Sequence, residues 1–345
     1  MGDFMIISDE PRIKSYQLYG FPECILEANF SNYKEWFVMN YNQLNAGISP
    51  SGNLFIKYLV GSAFGKHGVL DIKDYTNIVD LKNEEKVFQF IRESLKANKA
   101  CYLHIDHYYI ENYREYKREH LVHDIVIYDY DSADDSYLYM EFVVDAYKKF
   151  KINWLQLFEA ISHHDNKCVF SFYLSEEATY DFNLEKFIRM QEDYLYSKAP
   201  ENEGLYFDTN TFYSRDYYSF DSSIRCYGID TYNLIDTYVN HAAKNREYVD
   251  YHLIYLMLEH DLTMNYKLDY LLKKNYINHT QSVFLKEKLH EIIKLLQIDL
   301  RRIMKYTFIN FLKDDQLLLE NVNQVYNLEK DFYGTLINLL KGNSK

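Results

Sequence analysis

Residues 101–144 read CYLHIDHYYIENYREYKREHLVHDIVIYDYDSADDSYLYMEFVV, and the class of the fold turns on them. Cys101, Leu103 and Ile105 alternate with Tyr102, His104 and Asp106, the two-residue period of a strand with unlike faces. Leu121–Tyr130 and Tyr137–Val144 are two further β-rich runs, parted by Asp131-Ser132-Ala133-Asp134-Asp135, a hairpin turn by composition. Three consecutive strands joined this way predict antiparallel pairing. Upstream, Leu26, Phe30, Tyr33, Phe37, Tyr41 and Leu44 recur at helical spacing, and Ile25, Trp36, Val38 and Met39 thicken that stripe, so 24–44 reads as a buried helix with Pro22 at its head. Ala46 to Asn53 reads as a loop and Glu84 to Asn98 as a second helix. Downstream, Val169–Leu174 reads as one more strand. From about Asn183 the pattern becomes helical, over 183–197, 230–245, 247–274, 281–312 and 315–341, with an irregular Tyr-, Ser- and Asp-rich stretch at 200–225. The expectation is an α+β protein: a domain over 1–180 with an antiparallel sheet packed on a buried helix, then a mainly helical domain over 181–345.

Composition narrows the class. The 345 residues include 11 Gly and 4 Pro, too few for collagen-like, low-complexity or Gly-rich phosphate-loop designs. Lys+Arg of 38 against Asp+Glu of 51 leaves a net charge of −13, which repels phosphate backbones and argues against a nucleic-acid partner. No stretch reaches the ~18 apolar residues needed to span a bilayer, and the start lacks the basic and apolar regions of a signal peptide. Cys24, Cys101, Cys168 and Cys226 are widely spaced with no CxxC pair. A cytoplasmic protein with reduced thiols and no membrane association is expected. The long apolar-striped helices at 281–312 and 315–341 suit either a homodimer interface or packing within their own domain.

Cys24 is placed by this reading in the first turn of the buried helix, where free backbone N–H groups and the dipole favour a thiolate and hold an oxyanion. The competing reading is a small buried hydrophobe. Gln17, seven residues earlier, is the candidate extra donor. His123 opens the second strand and is the candidate base; its plain alternative is a half-exposed strand histidine. Glu141 lies on the following strand at the distance a hairpin needs to return past His123, and is the candidate orienting acid, with Asp145 as second choice. A metal site is not expected: His104 and His107, and likewise His120 and His123, are odd offsets that face opposite sides of a regular strand. His260 falls on the apolar stripe Leu253, Leu256, His260, Met264 beside Glu259; the pair reads either as satisfied core or as a coupling between the helical domain and the active one.

The block at 101–131 resembles papain-like proteins of bacterial peptide and antibiotic gene clusters, in which a D-x-Y-Y strand end is followed by a short excursion and a His-led V-V-x-Y-G-Y-D strand. The N-terminal domain of butirosin-biosynthesis acyltransferases is the nearest likeness, and the cysteine peptidases that trim double-glycine leaders a more remote one. ECILEANFSNYKEWF (23–37) is similar to their Cys-led helix, and 227–239 and 249–272 to the helical region that follows. The resemblance implies a papain-like fold, Cys24 as nucleophile, His123 as base and Glu141 where an Asp is usual, with Asp129 replacing a Gly of the strand pattern. It implies acyl transfer or amide formation in specialised metabolism: Cys24 attacks a thioester, presented on a carrier protein's phosphopantetheine arm, and a small-molecule amine resolves the acyl-enzyme. No other cofactor is implied. Lys148, Lys149 and Lys151 would form the basic patch for the carrier protein. Two alternatives stay open: a cysteine hydrolase on the same triad, and a non-catalytic binding protein that kept the fold.

Overall fold

A computed structural model describes residues 5–48, 54–59, 69–143, 146–165, 168–175, 178–199, 225–245, 249–307 and 316–343. The chain divides into two compact units, one of Met1–Tyr33 with Ala63–Thr179 and one of Lys34–Ser62 with Tyr180–Lys345. Residues 34–62, assigned from sequence to the first domain, cluster instead with the second unit.

In the first unit, α1 (Gln17–Asn29) precedes a six-stranded antiparallel sheet. The strands are β3 (Leu70–Asp74), β4 (Ala100–Asp106), β5 (Val122–Asp131), β6 (Ser136–Val143), β7 (Ala146–Asn153) and β8 (Phe170–Leu174), in the order β3-β8-β4-β5-β6-β7. The β5–β6 hairpin forms where the alternating runs meet the Asp-rich turn, whose Asp135 takes a positive φ of 55°. α3 (Glu84–Lys96) and α4 (Trp154–Ser162) are capped by Asn83 and Asn153, whose side chains accept from Lys86 N and Gln156 N. Val87, Ile91, Leu103, Ile105, Ile125, Ile127, Leu157 and Ile161 belong to one core between these helices and the sheet. β7 has no counterpart in the sequence reading.

The expected helix over 24–44 is a correction. The chain is already helical from Gln17, stops at Asn29, forms the short α2 (Tyr33–Met39) and then enters β1 (Gln43–Ile48). Pro22 sits inside α1 rather than at its start.

In the second unit β1 is central in a three-stranded antiparallel sheet, flanked by β2 (Leu54–Leu59) and β9 (Arg225–Tyr227). Ala46 pairs with Ile56 on one side and Cys226 on the other, so the strand replaces the loop expected from residue 46. Five helices complete the described part: α5 (Leu184–Leu195), α6 (Thr231–Asn245), α7 (His252–Lys273), α8 (His279–Thr307) and α9 (Gln316–Asn343). The stretch 200–224 lies outside the described residues. The result is α+β with antiparallel sheets and a mainly helical C-terminal region. Among the described residues no helix is long and apolar enough to cross a membrane.

Candidate functional site

Asp106 ends β4 and turns the chain. Its Oδ1 accepts from Tyr108 N at 3.1 Å, capping a single 3-10 turn at His107–Tyr109, and from Leu121 N at 3.2 Å where the chain returns into β5. Its Oδ2 lies 2.6 Å from His120 Nδ1. The turn lifts His107 out of the strand's alternation. His107 then comes beside His123, which pairs with Ile105 at the start of β5, the ring centroids standing 5.6 Å apart.

Glu141 on β6 joins them. It pairs with Ile125, two residues from His123 on the same face of β5, and is fully buried. Glu141 Oε1 is 2.6 Å from His107 Nε2 and 2.9 Å from His123 Nδ1. Oε2 accepts from the Tyr113 hydroxyl, which is also 2.9 Å from the Tyr139 hydroxyl. The His107 ring stacks on Tyr113 at 3.9 Å. Burial pushes the Glu141 carboxyl up, but the hydrogen bonds from the two imidazoles outweigh it and leave the group below the ordinary glutamate value. Burial pulls His123 down, and the bond and charge of Glu141 outweigh that, so the imidazole lies above its ordinary value.

The other ring nitrogen of His123, Nε2, lies 3.4 Å from Gln17 Nε2. Gln17 is the first residue of α1, after the N-cap Tyr16. In the imidazole tautomer protonated on Nδ1, the Nε2 lone pair accepts from the Gln17 amide.

Cys24 is elsewhere on the helix. It is the eighth residue of α1, fully buried, and so not in the first turn. Burial, and then the charge of Glu23, push its thiol well above the ordinary value. The expected activation is therefore corrected: the position is past the first turn, and burial and Glu23 outweigh the favourable Ser8 hydrogen bond and Lys149 charge. Cys101 is also buried, its thiol pushed up to about 12 by burial, while the partly exposed Cys168 and Cys226 rise to about 11, again mainly by burial. No described cysteine is a ready thiolate.

The structure thus brings together Gln17, His123 and Glu141. Asp145 lies outside the described residues. Glu259 and His260 are buried on α7, in the second unit. His260 stacks on Tyr194, with centroids 4.7 Å apart, and burial with the nearby Lys267 charge pulls its imidazole down to about 3. It is a core histidine in a polar cluster of its own. In the basic patch Lys149 Nζ donates to Ile7 O at 2.8 Å and pairs with Asp9, and Lys151 reaches Asp131 and Asp134 at 2.6 and 3.0 Å. Sequence reasoning missed His107 and Tyr113. The available signal was Asp106 before two aromatic residues, a side-chain cap that ends a strand. No protein-family model matches the chain, and no curated protein sequence does.

Proposed function

We propose that this chain is a non-catalytic binding protein with a papain-like first unit, and that it holds an acyl or peptidyl thioester without cleaving it. The observation that carries the reading is the 3.4 Å approach of the Gln17 amide to His123 Nε2 at the head of α1, with Cys24 buried seven residues farther along. The His–acid pair of a cysteine acyltransferase is kept, and a carboxamide stands in the nucleophile's place. An amide donates hydrogen bonds and does not attack carbonyls, so the retained pair supports recognition rather than acyl-enzyme chemistry. Acyl transfer through Cys24 has no support in its surroundings. The engagement of Lys149 and Lys151 with nearby acids weakens the carrier-protein patch, so the reading concerns the thioester portion itself.

The test is incubation with acyl and peptidyl N-acetylcysteamine thioesters, followed by intact mass, with melting measured beside the corresponding non-hydrolysable thioethers. The expected outcome is no acyl-protein, no consumption of thioester, and a higher melting temperature with a thioether. An acyl group mapped to Cys24, or turnover lost in Cys24→Ala, overturns the non-catalytic reading. Unchanged melting across the thioethers overturns the ligand class.

A further inference from the structure

The His107–His123–Glu141 cluster has a property the binding reading does not use. Two imidazole nitrogens lie 2.6 and 2.9 Å from one carboxylate oxygen, the three groups coming from three separate elements: the 3-10 turn, β5 and β6. The ligand atoms all lie within 4.8 Å of one another. We infer that His107, His123 and Glu141 form a binding site for one divalent ion of the zinc type.

Donor chemistry and spacing agree with this. Two imidazoles and a carboxylate are the donor set of open zinc sites, which keep a fourth position for water or a ligand atom. Donors at the ~2.0–2.1 Å of a zinc bond stand about 3.3 Å apart at a tetrahedral angle. The present contacts need to open by about half an ångström, within reach of side-chain rotation. His107 and Glu141 are buried, whereas His123 is partly exposed, so the open position would be reached from its side.

The second set of contacts makes the stronger argument. Each of the three groups has its remaining polar atom engaged or faced in the manner that orients a metal ligand. Glu141 Oε2 accepts from Tyr113. His107 Nδ1 faces the Glu115 carboxylate at 3.8 Å. His123 Nε2 faces the Gln17 amide, which by an amide flip offers its oxygen as acceptor. To bind an ion, each imidazole would present a lone pair on the nitrogen nearest Glu141. The His107 proton then lies on Nδ1 opposite Glu115, and the His123 proton on Nε2 opposite Gln17. The expectation from sequence was no metal, because His104 and His107, and likewise His120 and His123, were read as facing opposite sides of a regular strand.

The experiment uses the full chain, stripped with EDTA and desalted, then titrated calorimetrically with zinc chloride. One zinc per chain is expected, with affinity reduced at least tenfold by Glu141→Gln and by His107→Ala and unchanged by His120→Ala, since His120 turns to Asp106. Absence of stoichiometric binding, or affinity unchanged in both site variants, overturns the inference. A readout on the unmutated chain guards against variants that fail to fold: cobalt should give the visible bands of a four-coordinate N/O site and hyperfine-shifted imidazole N–H resonances from two histidines. Cobalt without histidine resonances also overturns it. The inference does not rest on the binding reading, since acylation of Cys24 would defeat the latter and leave the zinc stoichiometry untouched.

Discussion

An amide nitrogen 3.4 Å from His123 Nε2 sits at the helix position where a thiol would be activated. Gln17→Cys tests that correspondence. A thiol at the first residue of α1 meets the helix N-terminus and an imidazole, both of which favour the thiolate. With EDTA present, limiting iodoacetamide at neutral pH should modify position 17 at least tenfold faster than Cys168, with Cys24 last. Equal rates at 17 and 168 would dissolve the correspondence. The position was hard to read because helix α1 starts without the usual signals. Tyr16 at the N-cap gives no side-chain bond, and Pro22, a residue suited to the first turn, lies inside the helix. His123 and Glu141 were legible because strand alternation and hairpin length fix which residues return to one face. His107 was hidden by treating β4 as running past Asp106.

At the level of elements, α1 is held by close approach and by buried charge. Gly20 lies where a Cβ would overlap the Tyr147 hydroxyl of β7 and crowd the Ile13 carbonyl oxygen at 2.8 Å, while Phe21 meets the Tyr147 ring edge-on at 5.4 Å. Gly20→Ala must push the helix from the sheet, and overpacking of this kind costs about 1–3 kcal/mol. Urea melts should show that loss at unchanged far-ultraviolet dichroism, and an unaffected midpoint would mean that Tyr147 moves freely aside. Glu23, fully buried on the same helix, accepts from Arg12 N and Ile13 N at 2.8 Å each and from the Tyr33 hydroxyl at 2.6 Å, tying the N-terminal segment to α1. Asp129 stands at the β-bulge in the β5–β6 register and is outside the positive-φ region. The Ile125–Glu141 pair lies on the other side of the bulge.

Over the whole molecule, the division into units was only half legible. The boundary near 180 follows a change of period, but the pairing of β1 with β9 joins Ala46 to Cys226, and no local pattern announces a contact so distant in sequence. The same holds for the polar centre of the second unit, assembled from four helices. Glu329 of α9 accepts from the Tyr194 hydroxyl of α5 at 2.6 Å and from Tyr232 of α6, and it meets the carboxyl of Asp261 from α7. Tyr333 and His260 complete the surroundings, and all these groups are essentially fully buried. The neighbouring Lys267 ammonium is committed to Tyr41 O and Asn42 Oδ1, at 2.8 Å each. Two buried carboxyls in contact cannot both ionise, so they share a proton. Burial is the main cause that lifts both, Asp261 well above its ordinary value and Glu329 to about 7, the tyrosine donors holding Glu329 down. A carboxyl raised in the folded state binds a proton that the unfolded chain has lost above about pH 4, so its contribution to stability falls as pH rises towards the folded value. His260 and Lys267, both lowered by burial, act in the opposite sense, and the total profile mixes the two. The difference between Asp261→Asn and the parent isolates the shared proton, because an amide presents an N–H donor to Glu329 at every pH. Between pH 5 and 8 the variant should gain on the parent by up to about 1.4 kcal/mol per pH unit, read from denaturant melts across the series. A difference that stays flat with pH would mean that Asp261 is not protonated in the folded chain.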